Sequence, residues 1–173
     1  MEHELTFDET LQALDQGLPP EGVQLTGAID ILHYGADGAL KDERHLPNMI
    51  VFVGLAGIAS RINGSGGEAA FTFVAIGTGT SGPTTGDSVL GSEITTGGGA
   101  RGAGTPSRVT TAQTDDTAQV VLTYTFTSGP FAVTEAGLFN ASSAGTLLAR
   151  RVFSALNVVS GDSLALTWKI QSS

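Results

Sequence analysis

The chain has no cysteine. That excludes a disulfide scaffold, thiolate ligation of a metal and a Cys nucleophile. Charge is scarce, at 14% of 173 residues, which is low for a free-standing cytosolic enzyme and common both in turn-rich all-β proteins and in proteins whose surface is covered by neighbours. No lysine stands between Lys41 and Lys169. The Gly-rich run IGTGTSGPTTG at 76–86 therefore lacks the Gly-Lys-Ser/Thr that a phosphate loop needs, and it reads as a turn-rich surface loop. Long apolar runs are missing: the longest, Met49 to Ala59, falls far short of the ~20 residues of a membrane-spanning helix. The first twenty residues hold five acids, no Lys or Arg and no apolar core, unlike a secretory signal. The expectation is a soluble protein made in the cytoplasm, with no membrane partner.

Residues able to carry chemistry are equally sparse. The histidines His3, His33 and His45 stand in no His-x-x-x-His or His-Glu-x-x-His spacing. Asp115-Asp116 lacks the Asp-x-Asp-x-Asp-Gly rhythm of a calcium loop and reads as turn chemistry. No second carboxylate is spaced for glycoside hydrolysis. The expectation is no enzyme, no metal and no cofactor. Glu135 is the one unusual acid. It lies in an apolar strand-like run, where a carboxylate needs a partner, and Arg150 or Arg151 is the candidate for a structural ion pair.

What is present is uneven charge and abundant glycine. The net charge is −9, and residues 1–30 carry seven acids without a single Lys or Arg. Such a leader disfavours nucleic acid, whose phosphates need cations, and suits a basic protein surface. Within it, Thr6-x-x-Glu9 fits a capping box. Phe7, Leu11, Leu14 and Leu18 fall at i, i+4, i+7 and i+11, one apolar stripe, and Pro19-Pro20 ends the pattern. A helix of this length is marginal alone in water, so its stripe must pack on its own domain or on a neighbouring subunit. Residues 1–22 form an acidic arm on this reading, and residues 23–173 the folded domain.

That domain reads as mainly β. Val23 to Tyr34 alternates in part and predicts one strand, or two broken near Gly27; Ala39 to Leu46 returns after the turn Gly35–Gly38. Met49 to Ile62 predicts a helix, with Ile50, Phe52 or Val53, Ile58 and Ile62 on one face, although Gly54 and Gly57 weaken it; the alternative is a strand at 49–53 followed by a helix at 55–62. Phe71 to Gly77 is a strand. Residues 78–108 form a long Gly/Thr/Ser tract whose only apolar anchors are Val89, Leu90 and Ile94, a length uncommon unless the loop binds something or stays disordered. Strands are expected at 108–114, 118–128, 131–140, 146–155 and 163–171. Val120, Leu122, Tyr124 and Phe126 alternate with polar or smaller residues, as do Leu164, Leu166, Trp168 and Ile170, so each strand has one face on a core. Seven or eight strands predict an antiparallel β-sandwich, jelly-roll-like, with one further short helix near 50–62.

Four segments together carry a family resemblance: LPNMIVFVGLAGIASRI (46–62), FVAIGTGTSGPTTGDSVLGSE (73–93), TEAGLFNASSAGTLLARRVF (134–153) and VVSGDSLALTWKI (158–170). In this order they resemble small structural proteins of tailed bacteriophages, of the kind known as capsid decoration (cement) proteins or as tail-fibre and baseplate components. The likeness covers most of 46–170, leaves the leader at 1–22 uncovered, and departs at the insert TTGGGARGAGTPS (95–107). It implies a virion structural protein on the capsid surface, a homotrimer that binds the major capsid protein and clamps neighbouring capsomers. The arm would then be the partner-binding element, anchored by Phe7, Leu11, Leu14 and Leu18, with Asp8, Glu9 and Asp15 meeting basic capsid residues. The alternatives are a tail-tip, baseplate or tail-fibre adaptor and, more remotely, a glycan-binding module.

Overall fold

A computed structural model describes residues 24–172. Two five-stranded antiparallel sheets face each other as a β-sandwich. The first holds β1 (Leu25–Tyr34), β2 (Leu40–Pro47), β6 (Thr105–Val109), β7 (Thr117–Thr125) and β10 (Ser163–Ser172), in the order β2-β1-β10-β7-β6. The second holds β3 (Met49–Ile50), β4 (Phe73–Gly77), β5 (Gly102–Ala103), β8 (Phe131–Phe139) and β9 (Leu147–Val158), in the order β3-β9-β8-β4-β5. Among the described residues one helix, α1 (Phe52–Asn63), lies between β3 and β4 in sequence.

Alternation builds the first sheet. On β10, Leu164, Leu166, Trp168 and Ile170 are buried while Ala165, Thr167, Lys169 and Gln171 are not. Burying each large apolar side chain contributes about 1.5–3 kcal/mol, so β10 belongs at the sheet centre, paired with β1 and β7. β1 runs unbroken through Gly27. The Asn48 side chain lies over that glycine, where a Cβ would collide with it. Across the sandwich, the Tyr124 hydroxyl of β7 donates to the Val74 carbonyl of β4 at 2.6 Å, and burial pushes that phenol well above its ordinary pKa.

The second sheet is buried on both faces at its centre. β8 carries seven consecutive buried residues from Val133 to Phe139. A register shift between Val133 and Glu135 changes the phase of its side chains. Val133, Ala136 and Leu138 join the main core between the sheets, whereas Phe139 packs with Val51, Ala75, Leu90 and Leu147 in a second, smaller core. The lid of that small core is the segment after β4. The described residues hold ten strands rather than seven or eight, because the predicted 78–108 loop contains β5 and most of β6 and because Met49–Ile50 forms a two-residue strand.

The helix corrects a sequence expectation. Gly54 and Gly57 are its buried residues, while Phe52, Val53, Leu55 and Ile62 are exposed. The reason is distance: a Cβ on Gly54 would sit 2.7 Å from the Leu148 Cα, and one on Gly57 would sit 2.6 Å from the Phe71 ring. Gly54 lets the helix backbone approach β9 and Gly57 lets it approach Phe71, so Phe52, Val53, Leu55 and Ile62 turn outward, while Ile58 packs against the main core as expected. The Leu55 amide closes the first helical bond to Val51 O at 3.0 Å, and the Phe52 amide donates to the Thr85 carbonyl at 2.8 Å. Gly64, at φ 72°, ends the helix in the left-handed conformation.

Candidate interaction surface

Glu135, which is 0% exposed, accepts five hydrogen bonds. Its Oε1 accepts the amides of Gly79 (2.9 Å) and Ser92 (2.7 Å). Its Oε2 accepts the amide of Gly91 (3.0 Å) and both Nε (3.0 Å) and Nη2 (2.7 Å) of Arg150. Arg150 lies on β9 opposite Gly137 in the ladder, two positions along from the Glu135–Val152 pair. Its remaining donors reach Asp87 Oδ2 at 2.7 Å and the Ser81 carbonyl at 3.2 Å. Burial alone would raise the Glu135 pKa, but the amides of Ser92 and Gly91 and the Arg150 guanidinium hold it below the ordinary carboxylate range. With both oxygens filled by donors, this carboxylate fastens rather than reacts.

What it fastens is the segment 78–101. Gly79, Ser81, Asp87, Gly91 and Ser92 are all drawn to one ion pair on the outer face of the second sheet. A Cβ at Gly79 would meet the Glu135 carboxyl carbon at 2.7 Å, so only glycine admits the carboxylate this closely. Thr84 closes the loop onto Asp87 with its hydroxyl at 2.8 Å and its amide at 3.1 Å. Further along, Arg101 pairs with Glu93 at 2.6 Å, stacks 3.7 Å from the Phe139 ring centroid and donates to the carbonyls of Ala141 and Ala144. Leu90 and Ile94 are buried as anchors, while Val89 is exposed. The long Gly/Thr tract is thus a fixed cover.

Arg151 takes no part in the pair, and its Nε is buried without a partner among the described residues. The arm residues Phe7, Asp8, Glu9, Leu11, Leu14, Asp15 and Leu18 lie outside the described residues. The two strand histidines are apart: His45 Nδ1 lies 2.8 Å from Asp30, opposite it in the β1–β2 ladder, and His33 Nε2 lies 3.0 Å from Asp162. Asp116 accepts the amides of Thr111, Ala112 and Gln113, which is turn chemistry. Among the described residues, no group of three or more His, Asp or Glu could hold a metal ion. Sequence reading missed Asp87, although it is the only acid between Glu68 and Glu93, and a lone charge in a long neutral tract is a signal that something pairs with it.

The second feature is the outer face of α1. Phe52 is 63% exposed and Ile62 82%. Phe52, Leu55, Ala59 and Ile62 fall at i, i+3, i+7 and i+10, one apolar stripe in which all four are exposed. Arg61 is the only charged residue of the helix. An open cavity of about 710 Å³ adjoins this face, lined by Leu25, Gly27, Asn48, Ile50 and Leu55 among others. Both side-chain amide atoms of Asn48 are buried there without a hydrogen-bond partner among the described residues. A stripe of large apolar side chains on a helix marks a contact surface, unlike scattered single exposures. No family model, curated protein or solved structure matches this chain.

Proposed function

We propose that this protein is a structural virion protein of a tailed bacteriophage, a capsid decoration protein that binds the outer lattice and stabilises contacts between capsomers. The reading rests on the resemblance carried by segments 46–62, 73–93, 134–153 and 158–170, and one observation in the fold supports it best. The longest connection in the domain is locked to the sheet by the buried Glu135–Arg150–Asp87 network. That is what a part under mechanical load needs: a body whose surface keeps its shape while neighbours pull on it.

The role is mechanical. Specific protein contacts bury roughly 1,600 Å², and a trimer repeating such contacts over a lattice gains avidity without new chemistry. The acids Asp8, Glu9 and Asp15 of the leader meet basic residues of the major capsid protein. Purified protein added to capsids stripped of it should bind and raise the temperature at which they disassemble. Neutralising the three acids (Asp8→Asn, Glu9→Gln, Asp15→Asn) should weaken binding, most visibly at low salt. Copy number decides the location. A count in step with the capsomers supports the head; a handful per particle places the protein in the tail and overturns the decoration reading.

A further inference from the structure

We infer that the apolar stripe on the outer face of α1 is the seat of this chain's own leader, which packs Phe7, Leu11, Leu14 and Leu18 against Phe52, Leu55, Ala59 and Ile62. The inference rests on the reading of residues 1–22 as the capsid-binding arm and adds where that arm is held.

Four observations converge on this occupant. The stripes match in length: Phe7 to Leu18 spans about 16 Å at helical rise and Phe52 to Ile62 about 15 Å. They match in chemistry, since both are apolar at helical spacing and the stripe on α1 carries no charge. They match in position. The described chain begins at Gln24 and Leu25, and these residues line the same open cavity as Leu55. Residues 19–24 can extend about 20 Å, enough to return along α1. Finally, Asn48 lines that cavity with both side-chain amide atoms buried and unpaired among the described residues. An unmet buried amide costs about 1–3 kcal/mol, and backbone entering from residues 19–23 would supply its partners.

The arrangement also resolves a conflict within the leader. At helical spacing Asp8, Glu9 and Asp15 lie off the Phe7–Leu18 stripe. Seated on α1, the leader presents these acids outward while its leucines are covered. The arm is then held in place before it meets a capsid, which lowers the ordering cost of binding.

The absence of native cysteine makes the test direct. Leu14→Cys is combined in the full-length chain with Leu55→Cys, Ala59→Cys or Ile62→Cys in turn, and each pair is oxidised mildly. At least one pair should close within a single chain and migrate as a monomer, and adding Leu11→Asp should abolish that crosslink. Trp168 fluorescence reports whether each variant is folded, since that indole is fully buried in the core. Failure of all three pairs to close in folded protein overturns the inference. So does closure only between two chains, which would make a second copy's leader the occupant. Capsid binding is scored separately. A monomer crosslink without capsid binding keeps the seat and rejects the decoration role; capsid binding without any crosslink does the reverse.

Discussion

Replacing Glu135 by alanine tests the clamp at its centre. The carboxylate is fully buried and accepts five hydrogen bonds from Gly79, Gly91, Ser92 and Arg150. Alanine leaves three backbone amides and one edge of a guanidinium without partners. Breaking a buried ion pair from one side costs about 3–5 kcal/mol. Asp87 still neutralises part of the Arg150 charge through Nη1 at 2.7 Å, which pulls the cost down. The orphaned amides pull it up, by about 1–3 kcal/mol for any that water cannot reach. Gly91 and Ser92 are exposed residues, so water relieves them once the segment lifts, and the net expectation stays at about 3–5 kcal/mol. At about 2–4 °C per kcal/mol for a chain of this size, the melting temperature should fall by roughly 6–20 °C. Urea unfolding followed by Trp168 fluorescence measures the loss, because that indole is fully buried in the folded state. Limited proteolysis should cleave the variant within 78–92 and leave the wild type uncut there. The cycle of Glu135→Ala, Arg150→Ala and the double variant should give a coupling of at least about 2 kcal/mol. A Glu135→Ala protein within about 1 kcal/mol of wild type, with the loop still uncut, would refute the account of the clamp.

Three further outcomes follow from the packing and the charges. Gly54→Val should destabilise by about 1–3 kcal/mol despite removing a helical glycine, because its Cβ would lie 2.7 Å from the Leu148 Cα; an unchanged or raised melting temperature would show that α1 can slide away from β9. Tyr124→Phe should cost about 1 kcal/mol in urea unfolding, since it removes the 2.6 Å bond that joins the two sheets. Acid should destabilise the fold. Asp162 is lowered from 3.8 to about 2 by the Lys41 ammonium, with His33 and the Val159 amide assisting against burial, and Glu135 is lowered from 4.5. A depressed folded pKa gives stability that is present above the unfolded value and lost as pH falls through the folded one. The urea midpoint should therefore decline from about pH 5 towards pH 2, and Asp162→Asn should flatten part of that slope; a flat wild-type profile over this range contradicts both assignments.

The sheets were legible because their strands alternate. Leu164, Leu166, Trp168 and Ile170 announce a face at period two, and the observed burial of β10 follows it residue by residue. The partner of Glu135 was legible for the same reason: an acid among apolar residues needs a cation, and Arg150 is in the adjoining strand. Three things were not. The phase change at Thr134 depends on a register shift in the β8–β9 ladder, which leaves no mark in hydropathy. The orientation of α1 inverts the usual rule because close backbone approach at Gly54 outweighs the pull to bury Phe52 and Ile62. The cover over the second sheet is built from glycine amides at 79 and 91, groups common to all residues and therefore silent in a side-chain reading.

The central place of β10 in the first sheet sets a timetable for synthesis. β1 and β7 both depend on it for their ladders, yet it is the last strand of the described chain to emerge from the ribosome. Until residues 163–172 are out, the β1–β2 hairpin and the β6–β7 hairpin have no sheet to join, and Ile29, Ile31, Val120 and Tyr124 wait uncovered. Such long-range closure slows folding and exposes unpaired edges to other nascent chains. At high expression the chain should accumulate in that half-made state whenever translation outruns folding.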